Sequence, residues 1–282
     1  MKAKIYGFSF LIALLCVFNS CKKHGHNIAS TDPENKNVVL EEYTGIYCGW
    51  CPDGHVRAKE LHDAHPDDVV IIAIHEGYSS SSNGENFTTE FGGALEAQIN
   101  YTGYPTGTIN RHNFSAEGWD SDGGTAMSRS YWDNAADVIL AESSYVNVAA
   151  EHEVGTKDND RELTIYVEAY YTGDMPSGGN VINVALLQSN VEGPQSGMAS
   201  NPDYVLSNGN YSHQHMLRHL ITGQWGEDIS DVSKSTYRKT FTYVVPDDLN
   251  GVAYDLSNLD IAVFVAEGQQ EIITGCLSSL IE

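Results

Sequence analysis

The stretch from Asn37 to Cys51, NVVLEEYTGIYCGWC, constrains the fold of this chain more than any other. Its first half, Val38, Val39, Leu40, Glu41, Glu42, Tyr43 and Thr44, is apolar and rich in β-favouring residues, which predicts a short strand buried on at least one face. Gly45 breaks that strand, and Cys48, Gly49, Trp50 and Cys51 follow. The next segment, Val56 to His65, sets Val56, Leu61 and Ala64 among charged residues and predicts a helix. The cysteine pair therefore sits where a strand hands over to a helix, and there free amide N–H groups and the helix dipole favour a thiolate at Cys48. The sequence neighbours act the other way: Glu41, Glu42 and Asp53 are acidic, no Lys or Arg stands beside the pair, and a nearby carboxylate raises a thiol's pKa.

A CxxC at such a junction is a redox pair, half of a structural zinc site or an inert disulfide. Haem attachment needs His directly after the second cysteine, and that residue is Pro52. Zinc needs more ligands, and with no second CxxC, His55 alone leaves the site one ligand short. Downstream, Gly103, Tyr104, Pro105 and Thr106 precede the strand-like run Gly107 to Arg111. In these two anchors the chain resembles the thioredoxin fold, in which a cis-proline loop packs against the CxxC. The resemblance gives that role to Pro105, since cis peptides are largely confined to X–Pro bonds. It also gives Glu42 the place of a buried acid that exchanges protons with the second cysteine, and DVVIIAIH, Asp68 to His75, the place of the next central strand. It implies attack by a more exposed Cys48 and resolution by Cys51, with protein thiols or disulfides as partners.

The chain has 282 residues, enough for one large domain or two ordinary ones, and its 41% hydrophobic content is ample for a core. With 38 acidic residues against 15 basic ones and a formal charge of −23, it is a poor partner for nucleic acid, whose phosphates need clustered Lys and Arg. Residues 1–20 read as a targeting segment: Lys2 and Lys4 are basic, Phe8 to Phe18 is apolar, and Ser20 precedes Cys21. This resembles a bacterial lipoprotein leader, which implies Cys21 as the lipidated first residue; the alternative is ordinary secretion with Cys21 free, and either places the chain where disulfides persist. Lys22 to Lys36 is polar, so residues 21–36 are expected to form a flexible tether. The leader, TGIYCGWCPDGH, YSHQHMLRHL and QWGE are together similar to Omp28-related outer membrane lipoproteins of the Bacteroidetes. That resemblance implies an outer-membrane location. No acidic run follows Cys21, which leans the expectation toward the periplasmic face.

Residues 37–143 alternate strand and helix patterns and form the expected thioredoxin-like domain, closed by a helix over Ala126 to Glu142 with Tyr131 and Trp132 in its core. Beyond Ser144 the period becomes two: Tyr145 to Val154, Glu162 to Tyr171, Val181 to Gln188, Thr236 to Val245 and Leu259 to Ala266 predict an antiparallel β-sandwich domain over 144–282. An insertion, 191–235, carries His213, His215 and His219, expected on a short helix where packing is the favoured role and a metal the rival one. Asp120, Asp122, Gly123 and Gly124 resemble a calcium loop only in passing, because further ligands are missing. Cys276, in EIITGCLSSL, reads as a buried inert thiol. No cofactor is called for. Two functions stay open: thiol–disulfide exchange through Cys48, or a non-catalytic envelope lipoprotein whose sandwich holds a protein partner or serves structure.

Overall fold

A computed structural model describes residues 28–79, 84–155, 159–230 and 235–281. The expected leader, residues 1–20, and Cys21 lie outside these residues. Strand β1 (Val38–Thr44) is buried along its whole length. It is followed by α1 (Cys51–Ala64), β2 (Val69–His75), the short α2 (Gly92–Ala97), β3 (Thr106–Ile109) and α3 (Trp132–Leu140), the last entered through a single 3-10 turn at Arg129–Tyr131. Strands β4 (Val146–Val154), β5 (Glu162–Tyr171), β6 (Val181–Gln188), β7 (Val191–Gly193), β8 (Tyr211–His213), β9 (Met216–Leu220), β10 (Glu227–Asp228), β11 (Thr236–Val244), β12 (Asp248–Leu249), β13 (Val252–Ala253), β14 (Leu259–Ala266), β15 (Ile272–Leu277) and β16 (Ser279–Leu280) complete the chain.

Eight strands form one mixed sheet, ordered β15-β14-β6-β9-β2-β1-β3 with β10 on β6, and four form a second, ordered β11-β5-β4-β16. β1 and β2 pair in parallel and β3 runs antiparallel to β1, which places the strand before the CxxC between two neighbours. Burial on both faces explains the unbroken apolar run of β2. On one face of this half, Val38, Leu40, Ile71, Leu61, Trp132 and Ile139 pack α1 and α3 against the sheet. On the other, Val39, Tyr43, Ile72, Ile74 and Leu95 join Leu217 and Phe264 from later strands. Trp132 is fully buried, and a Cβ at Gly107 would stand 2.8 Å from its ring, so β3 needs a glycine there. A third core lies between the two sheets, where Ile165, Val167 and Phe241 meet Ile182, Val184, Val263 and Val265.

The expected boundary at residue 143 does not divide the main sheet. β9 joins β2 in parallel at Ala73 and Met216, and the amide of Ala73 donates to the carbonyl of His215 at 2.8 Å, so strands from both halves share one hydrogen-bonded layer. The stretch 191–235 is no mere insertion, because its β9 fills the gap between β6 and β2. YSHQHMLRHL is strand, not helix: Met216, Leu217 and Leu220 bury themselves on a sheet, and His215 turns the corner between β8 and β9 at φ 51°. The second half of the expected tether is docked rather than free. Asn147 Nδ2 donates to the carbonyls of Ser30 and Asp32 at 2.9 and 2.6 Å, and Lys36 Nζ meets Glu142 at 2.7 Å. The closing helix is shorter than expected, and Tyr131 is 36% exposed rather than core. In the calcium-like loop Asp120 is spent on a turn, accepting from the Gly123 amide at 2.7 Å.

Candidate functional site

The turn after β1 places Cys48 three residues ahead of Cys51, the first residue of α1, with Pro52 behind it in the first turn, where its missing N–H costs nothing. The cysteines form a disulfide with Cα atoms 5.4 Å apart. Cys48 is the outer member at 7% exposure, and Cys51 is fully buried. The Tyr104–Pro105 bond is cis. Pro105 approaches α1 at Gly54, where a Cβ would lie 2.9 Å from Pro105 Cβ and 2.8 Å from Glu42 Oε1. Gly54 thus marks where the proline loop, the helix and the buried acid converge. The sequence-predicted set Cys48, Cys51, Glu42 and Pro105 occupies one neighbourhood.

Glu42 and Glu41 are adjacent in sequence and opposite in fate, because successive strand residues face opposite sides of the sheet. Glu41 is gripped by Arg111, whose Nε and Nη2 reach it at 2.7 and 2.5 Å, so its charge is compensated. Glu42 faces α1, 2% exposed, with Oε1 unpartnered and 3.8 Å from His55 Nε2. Burial lifts its pKa to about 8, against a smaller opposing pull from Arg129. Arg129 also pairs with Asp53 in the first turn of α1, so the basic residue absent from the local sequence arrives from a distant turn.

His55 is tied on both ring nitrogens, Nε2 to Thr44 Oγ1 at 3.0 Å and Nδ1 to the Tyr211 hydroxyl at 2.9 Å, and Asn201 Nδ2 donates to that hydroxyl at 2.8 Å. Burial lowers the His55 pKa to about 4 and keeps the ring neutral. Behind it His75 Nε2 and His213 Nδ1 lie 3.2 Å apart, both neutral for the same reason, with His213 near 3. The three downstream histidines diverge: His213 turns to His75, His215 to His62, and His219 sits between Phe91 and Tyr243. Among the described residues no three His, Cys, Asp or Glu side chains gather as a metal site.

Sequence reasoning missed the cover over the pair. Gln195 Nε2 donates to the carbonyls of Cys48 and Gly45 at 3.0 and 3.3 Å, and the Ser196 amide donates to Ile46 at 2.7 Å. Gly197, at φ 71°, lies so close that a Cβ would fall 1.9 Å from the Gly49 carbonyl. The chain after β7 therefore lies on the CxxC loop. The signal was slight: a glycine in a polar stretch. Outside this cover Tyr47, Trp50 and Tyr78 stay exposed at 50, 71 and 68%. Cys276 is remote on β15, and burial pushes its thiol up to about 12.

Among solved structures the chain is similar to HBP35 of Porphyromonas gingivalis, with 18% identity over 88% of this chain and 76% of that one and a TM-score of 0.66. At that identity the likeness is one of fold. A domain of the outer membrane lipoprotein Omp28 from the same organism matches at 17% identity over 49% of this chain and 88% of that one, with a TM-score of 0.33 that carries no argument alone. No curated protein matches the chain. The family model described as outer membrane protein Omp28 matches residues 93–276, a span that includes Pro105 and Tyr211 but not Cys48, Cys51 or Glu42. With most of its length inside that match, the chain belongs to the Omp28 family of outer membrane proteins.

Proposed function

We propose that this outer-membrane-family protein is a lipid-anchored thiol–disulfide exchange protein, built from a thioredoxin-like half and a β-sandwich half, held at the periplasmic face through Cys21. The observation that carries the reading is the buried, unpaired Glu42 set with a cis-proline against the first turn of a helix that begins at a cysteine pair. In the reduced protein the Cys48 thiolate attacks one sulfur of a protein disulfide. That S–S bond breaks, a Cys48 mixed disulfide forms, and the first substrate sulfur leaves as a thiolate that takes a proton from water. Glu42 takes the proton of Cys51, whose thiolate attacks Cys48 Sγ and expels the second substrate sulfur. The substrate gains two electrons and the protein is left with the Cys48–Cys51 disulfide, which an upstream dithiol reduces again. A Glu42 pKa near 8 lies close to that of a thiol, about 8.5, so the transfer is nearly balanced.

One observation favours the non-catalytic alternative, a scaffold that holds an envelope protein. The Gln195–Gly197 cover leaves Cys48 with 7% exposure, so exchange requires this segment to yield or the substrate to enter beside Tyr47, Trp50 and Tyr78. Insulin reduction at fixed dithiol supply decides between them. Exchange predicts turnover that disappears in Cys48→Ser; turnover no higher than in that variant assigns the chain to the scaffold class.

A further inference from the structure

Glu42 must shed the proton it receives if exchange is to continue, yet its own strand offers no way out: β1 is buried from end to end and Oε1 has no partner. Beside the carboxyl lies a cavity of about 20 Å³ whose wall includes Glu42, His55, Tyr211, Tyr204, His215 and the half-exposed Lys59. A single water needs roughly 10–15 Å³. Three of those residues, Tyr204, Tyr211 and His215, come from the second half of the chain.

We propose that His55 and Tyr211 form the proton outlet of Glu42, so that the second half of the chain completes the acid–base machinery of the first. The inference rests on the exchange reading above. The Glu42 carboxyl proton passes to His55 Nε2, 3.8 Å away, as the carboxyl turns toward the ring and the Thr44 hydroxyl swings off that nitrogen's lone pair. The proton on Nδ1 passes to the Tyr211 oxygen at 2.9 Å, and the phenol proton passes to water in the cavity. The sum is a carboxylate and a hydronium ion, with no electrons moved. The relay resets when His55 returns to its first tautomer. A neutral imidazole bonded on both nitrogens has the one proton and one lone pair that this requires. Asn201 Nδ2 and the His55 Nδ1–H together fill the lone pairs of the Tyr211 oxygen, which turns its hydrogen toward the cavity. The charged and titratable groups facing this line are Arg129 toward Glu42, Lys59 and His215 on the cavity wall with Tyr204, and His75 and His213 behind His55. Burial holds all four histidines neutral, and His55 is the one whose ring nitrogen lies 3.8 Å from the Glu42 carboxyl.

The test follows the ionisation of Glu42 itself after a pH jump, by time-resolved infrared on the full chain, with the carboxyl band assigned by its loss in Glu42→Gln. Tyr211→Phe keeps the ring and removes the relay oxygen's proton; ionisation is expected to slow by more than about tenfold. His55→Gln keeps hydrogen-bonding groups toward Thr44 and Tyr211 but cannot relay, and is expected to slow it as much, which guards against a local packing effect in the first variant. Native ionisation rates in both variants would overturn the outlet. Because this readout needs no turnover, it is separable from the exchange reading: slowed ionisation with no insulin reduction would leave the outlet standing and remove the activity, and insulin reduction with native ionisation rates would do the reverse.

Discussion

A carboxyl with no partner inside a protein costs free energy whenever it is charged, and Glu42 makes that cost visible as a pH dependence. Its folded pKa, about 8, lies above the ordinary 4.5, so its stabilising share is fully present below pH 4.5 and is lost as pH rises through 8. Moving a pKa by one pH unit changes the balance between charged and neutral forms by about 1.4 kcal/mol. Glu42→Gln is therefore expected to gain a few kcal/mol on wild type between pH 5 and pH 8.5 in denaturant titrations, while slowing exchange by roughly 10²-fold or more. A constant stability difference across that range would contradict the buried-acid assignment. At Gly54 an added methyl meets both Glu42 and Pro105 below 3 Å, so Gly54→Ala is expected to cost about 1–3 kcal/mol in the same titration. The cysteine pair was legible from its spacing at a strand–helix junction, and Glu42 and Pro105 through the resemblance to the thioredoxin fold. Arg129, Gln195 and Tyr211 were not, since each reaches the site by tertiary contact alone.

Segments decide who can reach the cysteines. The Gln195–Gly197 cover is held by the Gln195 side chain and the Ser196 amide on carbonyls of the CxxC loop, and Gly197→Ala, strained by its positive φ and blocked by Gly49, should lift it. Alkylation of Cys48 in the reduced variant is expected to run severalfold faster than in wild type; an unchanged rate would mean that the cover does not gate the thiol. The histidine-bearing segment teaches a different lesson. Its apolar spacing fits a helix as well as two short strands, and only the gap between β6 and β2 selects the strands. Burial then holds His55 near 4, His213 near 3 and His215 near 4. Folded values below the ordinary 6.5 mean stability that is present above pH 6.5 and lost as pH falls toward 3 to 4. Acid titration of wild type should show this loss starting below pH 6.5, with a slope reduced by up to about 1.4 kcal/mol per pH unit in His213→Gln.

Across the whole molecule, the change from alternating elements to successive strands near residue 144 was readable from periodicity, and the observed strands follow it closely. That the two regions share a sheet was not readable, because one bridge between β2 and β9 leaves no trace in local pattern. Their common layer predicts a single calorimetric transition, and two well-separated ones would show that the halves melt independently. The proposed lipid anchor is tested by Cys21→Ala, which should release the protein from the membrane fraction. The most direct test of exchange chemistry is to trap its intermediate. Reduced Cys51→Ser, treated with a protein disulfide, is expected to accumulate a stable mixed disulfide at Cys48, while wild type resolves it to the Cys48–Cys51 bond and free substrate thiols. Failure of Cys48 to form that adduct in the folded protein would contradict the account.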